Sequence, residues 1–583
     1  MNWLSLRRRS DARWISLTAR SVVLTLVGLA CWSLAGGCRQ DRPDVGDYEA
    51  SPTNDAAWRE ELFAFALDNL HRLEQFDAET MLPDITARLN EWIELVEVPP
   101  QQPLEPVLDE MLASYSGLQQ VQQLRATQLT REDVRFLREA IWMRDAAASA
   151  ATDPALAARL PDLSIADRQL AAERSQVARA WRLFDWTVRN IALDEAAGDD
   201  APDTAAMLPW QIMLRGRGTA QQRGWVFALL ARQQGLDVVL LTGDAAGSKS
   251  PSGPCLMGVV VGSSNSDSAP KLFVFDAWLG LPIPGVNDEP VATLHALRAD
   301  DALFRSLDID DEHLYPLSAS AMQSVTAHIE ASPGYLARRL RVVEGHLAGE
   351  QKMVLHANVA QLAERLDAVE GIDEVRLWEM PLRTYERQAD DAVTSDIATG
   401  LPGAGADELP EAYRPWLLAL SRARALHLRG RFSGPGSALE RYQRARPSDK
   451  QIEAAVAGEA PPRDVVARDT NAAPTPPRAL TEGEAARIRR AKQDASYWLG
   501  LLAFERGDYD TAVDYFAQRT LAATPDGPWT AAAQYNLGRA LEASGDPTSA
   551  IEHYEFADSP QRHGNLLRAR SLQTVAESDE SES

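Results

Sequence analysis

One pattern of small, apolar and aromatic residues occurs twice near the C-terminus, and its two central glycines lie 38 residues apart. Each copy has Leu-Gly first, then a second Gly, and then Ala and an aromatic residue. A glycine within a helix lets a second helix approach closely, and a large side chain from that helix fills the space. The pattern therefore predicts stacked pairs of antiparallel helices. The residues are Leu499, Gly500, Gly507, Ala512 and Phe516 in the first copy, and Leu537, Gly538, Gly545, Ala550 and Tyr554 in the second.

This pattern resembles the tetratricopeptide repeat, whose usual period is ~34 residues. The loop from Ala522 to Gly527 can absorb the extra length. About three such repeats are expected for independent stability. Either the helical pair from Trp416 to Arg444 or the helix from Glu482 to Asp494 must therefore complete the stack. The resemblance implies that a peptide or a partner protein binds in the concave groove of the repeats.

A second segment combines a glycine-rich turn, a helix and several apolar strands. The turn runs from Gly216 to Ala220, and the helix from Gln221 to Gln234 stops at Gly235. An amphipathic helix, Gln176–Leu193, precedes the turn. This order resembles the core of the transglutaminase-like (papain-like thiol) superfamily. The strands that follow the helix are expected at Val238–Leu241, Val259–Val261 and Leu272–Asp276.

The resemblance also indicates that the catalytic residues are missing. In the superfamily the turn places a nucleophilic Cys at the helix N-terminus, where the helix dipole stabilises a thiolate, and the next strands supply His and then Asp. Here the Cys position is Ala220, and no His lies between residues 71 and 295. Asp276 keeps the third position. Because the Cys and His that would act with it are missing, we expect Asp276 to be structural and to cap the turn that follows it.

Cys255 leaves an enzymatic alternative open. It comes just before the strand where the superfamily's His would lie. A single Cys is a catalytic candidate only with a spatially close His. A divergent thiol hydrolase or acyltransferase would therefore need a His at or beyond His295 to fold against Cys255. The plainer interpretation is a half-buried thiol that behaves as a small apolar side chain. A third interpretation is a passive envelope scaffold with no ligand in the cleft.

The N-terminus has the features of an export signal. A basic region that includes Arg7 and Arg13 precedes an uncharged apolar run from Ser21 to Gly37, which is too short for a typical membrane-spanning helix. The run ends in Gly-Gly-Cys38 and resembles the cleavage box of bacterial lipoproteins, in which the Cys is diacylated, for example with palmitate. An ordinary signal peptide or an uncleaved anchor stays as an alternative. Arg39 after the Cys favours the outer membrane, facing the periplasm.

Composition narrows the function classes further. The formal net charge of −25 argues against a nucleic-acid partner, because such proteins present a basic footprint. The 9 histidines are scattered without the short paired spacing of a metal site. We therefore expect no metal and no cofactor.

The sequence thus predicts a mainly α protein with a small α+β domain, in which helical regions flank a transglutaminase-like core and a helical repeat array ends the chain. We expect a non-catalytic envelope lipoprotein that binds a protein partner through its repeats. The predicted segments are a lipoprotein signal peptide (1–38), a polar tether (39–57), a helical region (58–175), the transglutaminase-like core (176–285), a mainly helical region (286–455), a Pro-rich linker (456–480), the repeats (481–575) and an acidic disordered tail (576–583).

Overall fold

The computed structural model describes residues 52–72, 78–96, 106–115, 117–194, 206–243, 253–262, 269–286, 289–459 and 478–582. The predicted signal peptide with Cys38, most of the tether and most of the Pro-rich linker lie outside these residues. The described elements are mostly helices, with a small mixed sheet and a C-terminal set of helical pairs. Among these residues, no helix is both long and apolar enough to cross a membrane.

The described N-terminal part is helical. Its first helix begins at Pro52, inside the predicted tether. Proline is favourable in the first turn of a helix because its missing N–H has no intrahelical partner there. The helices of this part are α1 (Pro52–His71), α2 (Ala78–Glu94), α3 (Pro106–Leu112), α4 (Gln119–Gln122), α5 (Arg131–Ser149) and α6 (Pro154–Ala157).

The central part combines helices with strands. The long helix that the sequence predicts at 176–193 starts earlier, at Arg168, and ends at Asn190. The elements in chain order are α7 (Arg168–Asn190), β1 (Ala192–Leu193), α8 (Pro209–Arg215), β2 (Arg217–Gly218), α9 (Ala220–Gln233), β3 (Asp237–Gly243), β4 (Leu256–Val261), β5 (Lys271–Asp276), β6 (Leu281–Pro282), α10 (Leu294–Ala299), α11 (Ala302–Arg305), β7 (Val325–Ile329), α12 (Pro333–Leu336), α13 (Arg338–His346), α14 (Val359–Asp367) and β8 (Ile372–Leu377).

The main sheet has six strands in the order β6-β5-β4-β3-β7-β8. Its neighbours pair antiparallel except β7 and β8, which are parallel. Strands β7 and β8 come from the region predicted to be mainly helical, so the sheet extends past the predicted boundary at residue 285. Strand β8 is hard to recognise in the sequence because it is an edge strand with charged residues such as Asp373 and Glu374. Charged residues on an edge strand protect the open edge of a sheet from further pairing.

Helix α9 lies against the sheet and is buried on almost every side. Its residues are apolar around most of its circumference, as expected for a helix inside a core. Gly224 allows this close approach, because a Cβ at that position would lie 2.7 Å from Sδ of Met257 on β4. Helices α7 and α9 pack together, and rings of Phe184 and Phe227 meet edge to face with centroids 5.2 Å apart.

The C-terminal part is an array of helical pairs. The hairpin of α17 and α18 packs against α20, so the predicted pair at Trp416–Arg444 completes the stack, and Glu482–Asp494 is the first half of α20. The acidic tail was predicted to be disordered, but the last helix continues to Glu582. The elements are α15 (Glu379–Arg387), α16 (Asp391–Thr399), α17 (Arg414–Leu428), α18 (Ala438–Arg444), α19 (Asp449–Val456), α20 (Glu482–Glu505), α21 (Tyr509–Asp514), a π-helix (Tyr515–Leu521), α22 (Thr530–Ser544), α23 (Pro547–Tyr554) and α24 (Arg562–Glu582).

The π-helix accounts for part of the long spacing between the two Leu-Gly copies. The N–H of Ala522 donates to the carbonyl of Ala517, five residues earlier, at 2.9 Å. Such a turn holds one residue more than an α-helical turn. The extra length therefore lies partly in this helix and partly in the turn before Thr530, rather than in the predicted loop alone.

The paired glycines sit where the two helices of each pair touch. A Cβ on Gly500 would lie 2.5 Å from Cε1 of Phe516, and a Cβ on Gly538 would lie 2.7 Å from Cε1 of Tyr554. Both distances are too short for any side chain. Each glycine therefore admits the aromatic ring of its partner helix, as the sequence pattern predicts.

We predict that Gly500→Ala and Gly538→Ala each destabilise the full chain by about 1–3 kcal/mol, because the added methyl group overpacks the contact. Thermal melting of the purified chain measures the effect. Gly483→Ala is the matched control, since it lies in α20 with no atom within 4 Å of the added Cβ, and alanine is the better helix former. Equal melting of the Gly500 and Gly483 variants would contradict the packing assignment.

Candidate functional site

The glycine-rich turn leads directly into α9. Gly216 ends α8 in the left-handed conformation, with φ of +71°. Thr219 caps α9, and its side chain and that of Gln222 form a reciprocal capping box. Ala220 is the first residue of the helix and is buried. The position that the resemblance assigns to the nucleophile therefore presents a methyl group.

Aromatic residues of the repeats cover this turn. A Cβ on Gly216 would lie 3.3 Å from Nε1 of Trp498 and 3.4 Å from Cη2 of Trp529. The guanidinium of Arg217 lies over the Trp529 ring, 4.0 Å from its centroid. Trp529 also stacks on Tyr497, with ring centroids 4.3 Å apart. Gly216 and Ala220 are thus buried where the turn meets the repeats.

Asp276 acts as a structural acceptor at the end of β5. Its Oδ1 accepts hydrogen bonds from the backbone N–H groups of Cys255 at 3.0 Å and Trp278 at 2.8 Å, and its Oδ2 accepts one from the Tyr315 hydroxyl at 2.7 Å. The bond from Trp278 closes the turn that follows the strand, which is the role the sequence favours. Burial raises the pKa of Asp276, while these hydrogen bonds act in the opposite direction.

Cys255 has the environment of an unreactive thiol. It is buried, and its Sγ lies 3.5 Å from the position that a Cβ on Gly224 would take. Burial raises the pKa of the thiol, and the neighbouring charge of Asp276 raises it further. A catalytic Cys needs the opposite, a stabilised thiolate at an accessible position.

A histidine lies close to Trp278 and Tyr315, but it belongs to α24. His563 lies against Trp278 and Tyr315, with ring centroids 5.4 Å and 6.2 Å away. Its Nε2 is 2.7 Å from the carbonyl oxygen of Leu307, so that ring nitrogen is already engaged. The sequence could not select this residue, because it lies in a helix more than two hundred positions after Asp276.

Arg223, also on α9, ties the core to the segment before α24. Its Nε and Nη2 donate to the carbonyl of Ile191, and its Nη1 donates to the carbonyl of Ala277 and to Oε1 of Gln561. Burial lowers the pKa of this guanidinium to about 10. Its charge is thus dispersed over neutral acceptors from three separate parts of the chain.

The space left at this junction of core and repeats is very small. A cavity of about 20 Å³ lies between α7, Arg223, α22 and Gln561, and a single water molecule needs most of such a volume. A peptide or polymer segment does not fit in this cavity.

Buried ion pairs join α7 to two helices of the repeats. Arg189 on α7 pairs with Glu505 on α20 at 2.7 Å and with Asp185 at 2.9 Å. Arg539 on α22 pairs with Asp185 and, at 2.8 Å, with Asp153. All five side chains are almost completely buried. The C-terminal half of α7 is thus fixed to α20 and α22.

This buried ionic cluster was missed by the sequence interpretation, which assigned the apolar stripe of α7 to the core and gave no role to its charges. Burial alone would raise the pKa of Asp185, but Arg539 and Arg189 hold it far below its usual range. Removing one partner from such a cluster leaves an uncompensated buried charge, which typically costs about 3–5 kcal/mol. One signal in the sequence could have indicated the cluster. Asp185 and Arg189 stand four residues apart in the mostly apolar C-terminal half of α7.

A larger cavity, of about 470 Å³, lies away from this junction, between the start of α7, β5 and α10. Ion pairs join its walls: Glu173 with Lys271 at 2.8 Å and Arg174 with Glu289 at 3.1 Å. It contains none of the residues that the sequence selected. Over the ranges that the structure describes, no three His, Cys, Asp or Glu side chains form a metal-binding group.

The comparisons with known proteins agree with the geometry of the C-terminal part. Residues 493–557 match the tetratricopeptide repeat family. This segment covers the second half of α20 and continues to the end of α23. No curated protein and no solved structure gives a significant match to the chain. The chain therefore contains tetratricopeptide repeats, a class of module that generally binds proteins.

We predict that Cys255 reacts slowly with iodoacetamide in the folded chain, because its thiol is buried and its pKa is raised. The measurement uses full-length protein with Cys31 and Cys38 replaced by Ser, followed by mass spectrometry across pH 6 to 9. Unfolding in urea should restore the rate of an ordinary thiol, which serves as the control. A fast reaction below pH 7 that one His substitution abolishes would contradict this and favour the thiol-enzyme alternative.

Proposed function

We propose that this chain is a non-catalytic protein of the cell envelope whose tetratricopeptide repeats bind a partner protein. The observation that carries the proposal is the match of residues 493–557 to that repeat family, on helices that stack in pairs. Repeat arrays of this kind present extended surfaces for protein partners.

The partner contacts the outer face of the repeats, on the side away from α7. Support comes from the buried ion pairs of Arg189 and Arg539, which already use the inner face. The outer face offers accessible side chains on the second helix of each pair, for example Gln518 on the π-helix and Glu552 on α23. Contact on this face leaves those ion pairs in place.

The central part is a degenerate transglutaminase-like core that has become an internal ligand of the repeats. Its support is the order of turn, helix and three antiparallel strands, together with the positions of Cys255 and Asp276 at paired strand ends. Ala220 at the helix N-terminus and the buried Cys255 favour a non-catalytic role.

We predict that a photo-crosslinking residue at Gln518 or Glu552 yields a discrete adduct with another protein when the full chain is expressed in its own cells. Both positions are exposed on the outer face of the repeats. The control places the same crosslinker at Glu364, an exposed position on α14. Absence of adducts at the repeat positions, or equal adducts at Glu364, would reject the proposed interaction and favour a passive scaffold.

The envelope location rests on the apolar run that ends in Gly-Gly-Cys38. We propose that the mature protein begins at Cys38 and is held on the membrane by its acyl chains. Each buried CH₂ of these chains contributes about 0.8 kcal/mol to the free energy of membrane binding.

Cys38→Ala should leave the precursor unprocessed or release it from the membrane fraction, which immunoblotting of cell fractions measures. Cys31→Ala, within the same apolar run, is the control. A Cys38 variant that is still processed and membrane-bound would contradict lipidation.

A further inference from the structure

One helical hairpin of this acidic protein is strongly basic. The full chain has a formal net charge of −25, yet the segment from Arg414 to Lys450 contains eight arginines and one lysine against two acidic residues. This segment forms α17 and α18, the first pair of the array. Such a local excess of one charge within a chain of opposite charge requires either internal partners or an external one.

Several of these arginines have internal partners, and two of them are buried. Arg424 donates to the carbonyl of Met213 at 3.2 Å and to Oδ1 of Asn190 at 3.3 Å. Arg429 pairs with Asp145 at 2.9 Å. Both are buried and fasten the hairpin to the rest of the chain, so they are not available to a ligand.

Three other arginines lie together at the surface, and we call them the arginine surface: Arg422 on α17 and Arg441 and Arg444 on α18. Arg444 pairs with Glu440 at 3.3 Å, and both side chains are about half exposed. Arg441 donates to the backbone carbonyl of Gly436 at 3.2 Å. Within the part of the chain that the structure describes, Arg422 has no acidic partner. Glu440 thus pairs with one of the three guanidinium groups.

Arg441 and Arg444 are three residues apart on one face of α18, and α18 packs against α17, which carries Arg422. Partial burial lowers the pKa of Arg441, and the positive charges of Arg422 and Arg444 lower it further, while Glu440 acts in the opposite direction. Like charges held together in this way repel one another. A ligand that brings negative charge would relieve that repulsion.

We propose that the arginine surface docks an acidic segment of a partner protein, in which several Asp or Glu carboxylates pair with Arg422, Arg441 and Arg444. The inference rests on the proposed function as a protein-binding module and specifies the chemistry of the partner. Planar guanidinium groups suit this ligand, because each can bind a carboxylate through two parallel hydrogen bonds.

The size and surroundings of the surface favour a short acidic segment over nucleic acid or an anionic bilayer. Helix α18 has seven residues, a length of roughly 10 Å, which matches three or four residues of an extended peptide. Exposed acidic residues flank the hairpin, including Glu411, Asp449 and Glu453. A long polyanion or a membrane surface would extend over these carboxylates and be repelled by them.

The surface is also separate from the buried ion pairs. Those pairs join α7 to α20 and α22, whereas Arg422, Arg441 and Arg444 lie on α17 and α18. An acidic segment can therefore dock without disturbing the buried ion pairs that hold the repeats on the core.

The test uses the purified full chain and a fluorescein-labelled octapeptide of alternating Asp and Glu, measured by fluorescence anisotropy at low salt. We expect saturable binding that weakens as salt is raised. Arg422→Glu/Arg444→Glu should raise the dissociation constant at least tenfold. Arg383→Glu/Arg562→Glu, with the same change in net charge at two other exposed positions, should change it less than twofold.

Several results would overturn the inference. These are absence of saturable peptide binding, an equal effect of the two double variants, or tighter binding of phosphatidylglycerol vesicles or an oligothymidylate than of the peptide. If melting shows that the Glu variant is misfolded, Arg422→Gln/Arg444→Gln replaces it, with at least threefold weaker binding expected. If Arg422→Gln/Arg444→Gln no longer binds the peptide but still forms the crosslinks at Gln518 or Glu552, the partner does not need the arginine surface. That result would reject the acidic partner and leave the proposed function standing.

Discussion

Two buried arginines, Arg189 and Arg539, hold the C-terminal repeats on the central part of the chain. Together they pair with Asp185 on α7, with Asp153 immediately before α6 and with Glu505 on α20. Within the docked arrangement each buried charge needs its partner, because removing one partner typically costs about 3–5 kcal/mol. The glycine-rich turn and the small cavity lie at the same junction.

The docking determines which parts of the repeats stay exposed. Buried ion pairs hold α20 and α22 against α7 of the same chain. The second helices of the pairs and the basic hairpin carry exposed side chains, for example Gln518, Glu552 and Arg444. The proposed binding surfaces therefore lie outside the docked contact.

The sequence predicted the local packing of the repeats well because that packing follows from residue size. Gly500 and Gly538 admit Phe516 and Tyr554, and no other part of the chain is needed to see it. The strands β7 and β8 were missed because β7 alternates over only five residues and β8 is a charged edge strand. The contact of α7 with the repeats could not be predicted, since Arg189 and Glu505 are separated by 316 positions and nothing in either local sequence identifies the other.

That separation also has a consequence for the order of events during synthesis. Ribosomes add about 5–20 residues per second, so Arg189 waits roughly 15 to 60 seconds before Glu505 has been made. During this interval the emerging central part has its charged helix uncovered and cannot reach its final packing. Completion of this packing therefore requires that the chain be made through Arg539 on α22.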